Sequence, residues 1–346
     1  TLEGNAVHAN DEFETVVYSG NGGLQTHSLN NITTALDFVW IKDRLVAKQH
    51  WLYDSIRTGT SPLGADNTAA ERSDVGQIAF GNGSFDITVY ESGINAAGTD
   101  NYVAWCASLP NHTVSNTAGT ITSETKANSF MSAVSVAYGA GDYTKTAGHG
   151  LNKEPELILS KDRGALTSWF CFSKYNGTLL GTNNVLHLNN TDASTTDPFF
   201  TCDATTITTG FSTSSYNMIA YAFTSVEGLC KVGSYTGTGG ATLNENCGFE
   251  PAWILVKRTN SVGHWGIIDT SRLDDNYLFA SASGAEATYT GLTLTTTGFI
   301  GDGTDTGGYN ASGGEYIYLA IAKNTPEDLR IKETFEASGV VANTGT

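Results

Sequence analysis

Trp253-Ile254-Leu255-Val256-Lys257 is a short apolar run closed by a lysine. The chain carries the same pattern twice before it, as Phe38-Val39-Trp40-Ile41-Lys42 and Leu157-Ile158-Leu159-Ser160-Lys161. Runs of this length, rich in β-branched and aromatic residues, read as strands. Pro155 and Pro251 precede the second and third copies, and proline is tolerated where a strand begins. Upstream of each run lies a glycine-rich turn: Ser19-Gly20-Asn21-Gly22-Gly23, Tyr138-Gly139-Ala140-Gly141-Asp142 and Tyr235-Thr236-Gly237-Thr238-Gly239-Gly240. Downstream of each lysine comes a tryptophan that opens another strand-like run, at Trp51, Trp169 and Trp265. Further on, each copy closes with a run apolar on both faces: Tyr102 to Cys106, Met218 to Phe223, and Tyr316 to Ile321. Such a run belongs in the middle of a buried sheet.

The landmarks keep a common spacing. Lys42 to Lys161 is 119 residues, Trp51 to Trp169 is 118, and Tyr102 to Met218 is 116; the next intervals are 96, 96 and 98. Scattered insertions would not move three landmarks together, so the spacing predicts a triplicated unit. At about 90 residues, that unit is too long for a solenoid repeat or a propeller blade and suits a sandwich of short strands. The expected fold is therefore all-β, three tandem jelly-roll-like β-sandwiches. They span residues 1–108, 134–229 and 230–325, with a linker or insertion at 109–133 and a C-terminal tail at 326–346. The one helical pattern is Pro326 to Phe335.

Composition bounds the function. Of 346 residues, 15% are charged, against about a quarter in an average domain, and glycine, threonine, serine and asparagine fill the gap. The formal net charge is −17, which repels phosphate backbones and argues against nucleic-acid binding. No apolar run is long enough to span a membrane as a helix, and no signal peptide is visible. The five cysteines (106, 171, 202, 230 and 247) contain no CxxC pair, so no zinc site is expected, and they read as buried thiols. A Cys230–Cys247 disulfide stays open.

Catalytic patterns are missing. There is no GxSxG elbow, no HExxH, and no phosphate loop in the glycine-rich turns. Asp302 to Gly308 resembles the start of a calcium loop, but position 12 is Gly313 rather than a carboxylate. No enzyme activity, metal or cofactor is expected. The recurring tryptophans leave two readings. They are interior anchors of the sandwiches. Alternatively Trp51, Trp169 and Trp265, with His50 and His264 beside two of them, form three weak carbohydrate sites that gain by avidity. Lys42, Lys161 and Lys257 read as strand-end residues that favour solubility.

Val39-Trp40-Ile41-Lys42-Asp43-Arg44, His50-Trp51-Leu52-Tyr53-Asp54-Ser55-Ile56-Arg57, Asn67-Thr68-Ala69-Ala70-Glu71 and Asn101-Tyr102-Val103-Ala104-Trp105 together resemble a domain of structural proteins of marine tailed bacteriophages. The resemblance covers the first repeat. Thr58 stands at a glycine position and Ala107 at that of a second closing tryptophan, and the later repeats match only at the lysine strand and closing strand. It implies a virion or tail-associated protein of β-sandwich type, and it assigns no catalytic residue. The expected function is thus non-enzymatic: a tail fibre, appendage or capsid decoration, assembled in the host cytoplasm and carried on the particle. Its loops would serve assembly or host adhesion. Its partners would be copies of itself, as a trimer or larger, other virion proteins and a host-surface glycan. The alternatives are a lectin-like protein using the tryptophans and a glycan-degrading enzyme with a facing carboxylate pair.

Overall fold

A computed structural model describes residues 9–323, except 74–76, 89–91, 99–100, 143, 177–183, 197–199, 209–213, 240–242, 273–275, 302–304 and 306–307. The pattern at 326–335 and most of the 302–308 segment lie outside the described residues.

The described chain is almost entirely antiparallel β-structure, with two four-residue helices, Ala9–Glu12 and Ser92–Asn95. Three large sheets share one strand order. An opening strand (Phe13–Ser19, Met131–Tyr138, Cys230–Thr236) pairs with the closing strand (Asn101–Ala107, Tyr216–Phe223, Glu315–Ala322). The closing strand pairs with the lysine strand (Phe38–Asp43, Leu157–Asp162, Pro251–Arg258). Next come a return strand (Trp51–Asp54, Phe170–Ser173, Gly266–Asp269) and a short edge strand (Leu63–Gly64, Asn184–His187, Asn276–Phe279). Each large sheet has a three-stranded companion, and these also share an order. They are Gln25–Ser28, Ser84–Ile87 and Ile78–Phe80; Ala147–Gly148, Thr206–Thr208 and Thr201–Cys202; Asn244–Asn246, Gly298–Gly301 and Leu292–Thr295. A large sheet with its companion is called a unit below.

The glycine-rich turns follow the opening strands. Gly22, Gly141 and Gly239 take φ of 71°, 83° and 71°, the left-handed region where a side chain is strained.

Residues 109–133 are not a linker. Asn111–Asn116 and Ser123–Ala127 add two strands to the outer edge of the second sheet, and Met131 already belongs to its opening strand. Threonine, which with serine and asparagine suggested a loop, also suits a strand, and polar side chains are tolerated here because Asn111–Asn116 is exposed along nearly its whole length.

Closing strands are apolar on both faces because the two faces meet different neighbours. In the first unit Tyr102, Ala104 and Cys106 turn towards the companion sheet, packing with Phe85 and Ile87. In the second, Met218, Ala220 and Ala222 do the same with Ala147 and Ile207. The alternate residues, Val103, Trp105 and Ala107 with Ile219, Tyr221 and Phe223, enter one core that also contains the third unit's Trp253, Leu255, Leu319 and Ile321. The three large sheets therefore pack on one another through their outer faces. The packing is close: the central void enclosed by Trp40, Trp105, Tyr221, Trp253 and Leu319 is about 20 Å³, room for one water at most.

The contacts between units form a closed ring. Glu286 N donates to Arg44 O (2.7 Å), Glu71 N to Arg163 O (2.8 Å) and Ser194 N to Thr259 O (2.8 Å). In each case the loop after a lysine strand meets the segment beyond the edge strand of the preceding unit: first on third, second on first, third on second. The same pair of elements thus meets at all three interfaces.

Candidate functional site

Polar chemistry concentrates where the units meet. Asp54 ends the first return strand, and the turn after it brings Arg57 back. Arg57 N donates to Asp54 Oδ1 (2.8 Å), Arg57 Nε to Asp54 Oδ2 (2.7 Å) and Arg57 Nη2 to Leu52 O (3.1 Å). Both side chains are buried, at 0% and 1% exposure. From the second unit's closing strand, Tyr221 OH donates to Asp54 Oδ2 (2.6 Å). Burial pushes the Tyr221 pKa well up, so this hydroxyl stays a donor.

The third unit repeats the device. Arg272 N donates to Asp269 Oδ1 (3.1 Å), Arg272 Nε to Asp269 Oδ2 (2.7 Å) and Arg272 Nη2 to Ile267 O (3.1 Å). The cross-unit donor is now Trp105 Nε1, 2.9 Å from Asp269 Oδ2. Trp105 and Tyr221 hold the same register, opposite Trp40 and Leu159 of their lysine strands. The third closing strand carries Leu319 at that register, and the second unit has Ser173 and Asn176 where the others have aspartate and arginine. A donor is thus present at the two interfaces that offer a carboxylate and absent from the one that does not. Each carboxylate is buried and accepts both from the arginine of its own unit and from a donor of the neighbouring one, so these pairs tie the units together.

The tryptophans and histidines singled out above fall in the interior. Trp169 is fully enclosed and its Nε1 donates to Gly64 O of the first unit (2.7 Å). Trp265 is enclosed and donates to His187 O of the second (2.9 Å). By strand register their counterpart in the first unit is His50, not Trp51, since Trp51, Phe170 and Gly266 each begin a return strand. His50 is completely buried; Trp40 Nε1 donates to its Nδ1 (3.0 Å), which leaves the proton on Nε2, facing the carbonyls of Phe279 and Ala282 in the third unit. Gly64, His187 and Phe279 all lie on edge strands, so the three rings take corresponding places, although only the two tryptophans make a hydrogen bond across the interface. Burial holds the His50 pKa well below the usual value, so the ring is neutral. Trp51 packs with its own unit's companion sheet, the Arg72 guanidinium lying 5.8 Å from its ring centre. His264 is half-buried, stacked on Phe279 with ring centres 4.5 Å apart and Nδ1 2.9 Å from Ser281 Oγ. Stacking on a sugar needs an open ring face, and Trp51, Trp169, Trp265 and His50 have none. The carbohydrate reading of these residues gives way to an interior one.

The repeated lysines are also inside. Lys42, Lys161 and Lys257 are all 0% exposed. Each ammonium donates to carbonyls at the end of its strand or in the loop that follows: Lys42 to Asp43 O (2.5 Å) and Val46 O (3.4 Å), Lys161 to Asp162 O (2.8 Å) and Ala165 O (2.9 Å), Lys257 to Gly263 O (2.9 Å). Lys257 also reaches Thr191 O of the second unit (3.2 Å). These lysines clamp loops rather than solubilise strand ends. Burial lowers all three pKa values to about 8.

Between pH 8 and the ordinary lysine value of 10.5 the unfolded chain holds more protons than the folded one, so each lysine adds stability as pH rises through that window. Thiols work the other way. Burial raises the pKa of Cys171 and Cys230 above the ordinary 9, so stability is lost once unfolded thiols ionise. Urea unfolding is expected to show stability rising by about 1–2 kcal/mol from pH 7 to 8.5. A flat or falling profile between pH 7 and 8.5 would show the amines to be solvated.

Sequence reasoning passed over Asp54 and Asp269, although a signal existed: Asp-x-x-Arg recurs at the end of the return strand, in Asp54 to Arg57 and Asp269 to Arg272. Among the described residues no three histidine, cysteine, aspartate or glutamate side chains are grouped to hold a metal ion. No described helix is long and apolar enough to cross a membrane.

Fold and interfaces together define an all-β protein of three large sheets around one shared core, with buried polar pairs at two of the contacts between them. The chain belongs to the family described as Domain of unknown function (DUF7483), which it matches over residues 8–325, a stretch that takes in all three sheets. No curated protein matches it.

Proposed function

We propose that this chain is a non-enzymatic structural protein of a tailed-bacteriophage particle, built from three copies of one β unit, which presents rigidly held loops for assembly or host adhesion. The observation that carries the structural part is the consumption of polar and apolar groups at the unit interfaces. Asp54, Asp269, Trp169 and Trp265 are spent on contacts between units, and Trp51 is buried within its own. The shared strand orders and recurring cross-unit contacts support the triplication. The resemblance of residues 39–105 to a domain of phage structural proteins supports placement on the particle. Partners on this reading are other copies of the chain, other particle proteins and a host-surface glycan.

The test is quantitative mass spectrometry of particles of the phage that encodes the chain, purified through a density gradient. The chain should band with the particles at a constant copy number after high-salt washing. Recovery only from the lysate of infected cells would sink the proposal.

A further inference from the structure

The contact of the first unit with the third differs from the other two in one aromatic residue. At the corresponding places Trp169 and Trp265 each give an indole N–H to a carbonyl of the neighbouring unit, and an indole offers only a donor and takes no proton. His50 stands in that place against the third unit and is 0% exposed. Its Nδ1 accepts from Trp40 Nε1 at 3.0 Å, and its Nε2 has no hydrogen-bond partner. The rings of Trp40 and Trp105 lie against it, with centres 5.8 and 6.5 Å away. The imidazole fits this contact only in its neutral form.

A proton on Nδ1 would turn that acceptor into a second donor aimed at the Trp40 N–H, so the bond between the two rings would be lost. The new charge would also be buried without a counter-ion. Lys42 of the same unit and Arg272 of the third are the charges that bear on the imidazole, and both are cations. The acids around them are engaged. Asp269 and Glu286 hold Arg272, and Glu286 also holds Arg44. Asp43 accepts from the amides of its own loop, and Asp66 accepts from the His50 backbone N–H at 3.1 Å. His264, stacked on Phe279 of the third unit, is a further group that gains positive charge as pH falls.

We infer that the contact between the first and third units is an acid-sensitive seam: proton uptake by His50 loosens it, while the contacts made by Trp169 and Trp265 hold. The sign follows from linkage. Burial keeps the closed-state pKa of His50 well below the ordinary 6.5, so the opened seam binds a proton that the closed seam refuses, and opening gains as pH falls below 6.5. Asp66 works in the opposite sense: burial raises it to about 6, so the closed form takes up that proton more readily. His27 and His149 are also buried with lowered pKa values. They sit inside the first and second units, His27 against Tyr18 and Phe85 and His149 against Asp203 O, away from the seam.

Three backbone amides report the three contacts. Glu286 N–H, bonded to Arg44 O, reads the first unit on the third; Glu71 N–H, bonded to Arg163 O, the second on the first; Ser194 N–H, bonded to Thr259 O, the third on the second. Amide hydrogen exchange of the full chain, corrected for its intrinsic pH dependence, measures their protection at pH 7 and pH 5 in the parent and in His50→Asn. Asparagine keeps an oxygen near the Nδ1 position to accept from Trp40 and takes no proton. Between the two pH values the Glu286 amide should lose about 25-fold more protection in the parent than in the variant, the factor by which protonating an ordinary imidazole favours the opened form. The Glu71 and Ser194 amides should respond alike in both proteins. Asp66, His27, His149 and His264 are common to the two, so the difference isolates residue 50. An equal response of the Glu286 amide in parent and variant, or the same extra loss at all three amides, overturns the seam. Nuclear magnetic resonance titration of the His50 ring in the parent needs no variant: a ring that stays neutral to pH 5 supports the seam, and one that titrates near 6.5 in the folded protein overturns it.

Discussion

Asp54→Ser is expected to destabilise the protein by about 3–5 kcal/mol, because it leaves a buried guanidinium without its counter-charge. Arg57 is 1% exposed and would keep only carbonyl partners, Ser61 O at 2.6 Å and Leu52 O at 3.1 Å, with Tyr221 OH at 3.1 Å. Tyr221 would lose its acceptor across the interface at the same time. The third interface shows how to remove the device without this cost, since it has Ser173, Asn176 and Leu319 at the same registers. The triple change Asp54→Ser, Arg57→Asn, Tyr221→Leu should therefore be milder than the single one, within about 2 kcal/mol of the parent, because no charge is left unpaired in the interior. Urea unfolding of the single and triple variants measures both. A single variant that unfolds with the parent would show the pair to be idle, and a triple variant worse than the single would show the three residues not to act as a unit.

A chain ended after Leu229, which removes the third unit, is expected to lose its folded structure altogether. Deletion would strip Trp40, Trp105, Phe13 and Phe38 of the neighbours that share their core, among them Trp253, whose ring centre lies 5.8 Å from Phe13 and 6.4 Å from Trp105. Asp269 and Glu286 would go as well, taking the partners of Trp105 and Arg44. Loss of near-ultraviolet circular dichroism, with dye binding to exposed apolar surface, reads the result. In the intact chain the same shared core should give one calorimetric transition rather than three. A folded two-unit fragment, or three resolved transitions, would mean that each unit stands on its own filling.

Strand positions were legible because they follow from local pattern. The runs ending at Lys42, Lys161 and Lys257 and the closing runs appear where their composition placed them, and the glycine-rich turns adopt the φ that only glycine takes easily. Side-chain placement was less legible. The lysines looked like surface residues because a lone lysine after an apolar run is normally solvated, and nothing local shows that loop carbonyls will fold back over the ammonium. Trp51 looked equivalent to Trp169 and Trp265 because residue type was matched. Hydrogen-bond register puts His50 in that place, and the sequence held the signal, since His50 lies 119 residues before Trp169, the same interval that separates Lys42 from Lys161.

By itself the sequence determined the period-two patterning, the turns and the spacing of the three similar stretches, since backbone sterics and side-chain polarity act over a few residues. The tertiary structure alone decided that the outer faces of the three sheets share one core, and that Asp54 answers Tyr221 while Asp269 answers Trp105. A residue apolar on the outer face of a sheet is the same in sequence whether it meets its own unit or another. Which it meets depends on how strands more than 150 residues apart come to lie in space.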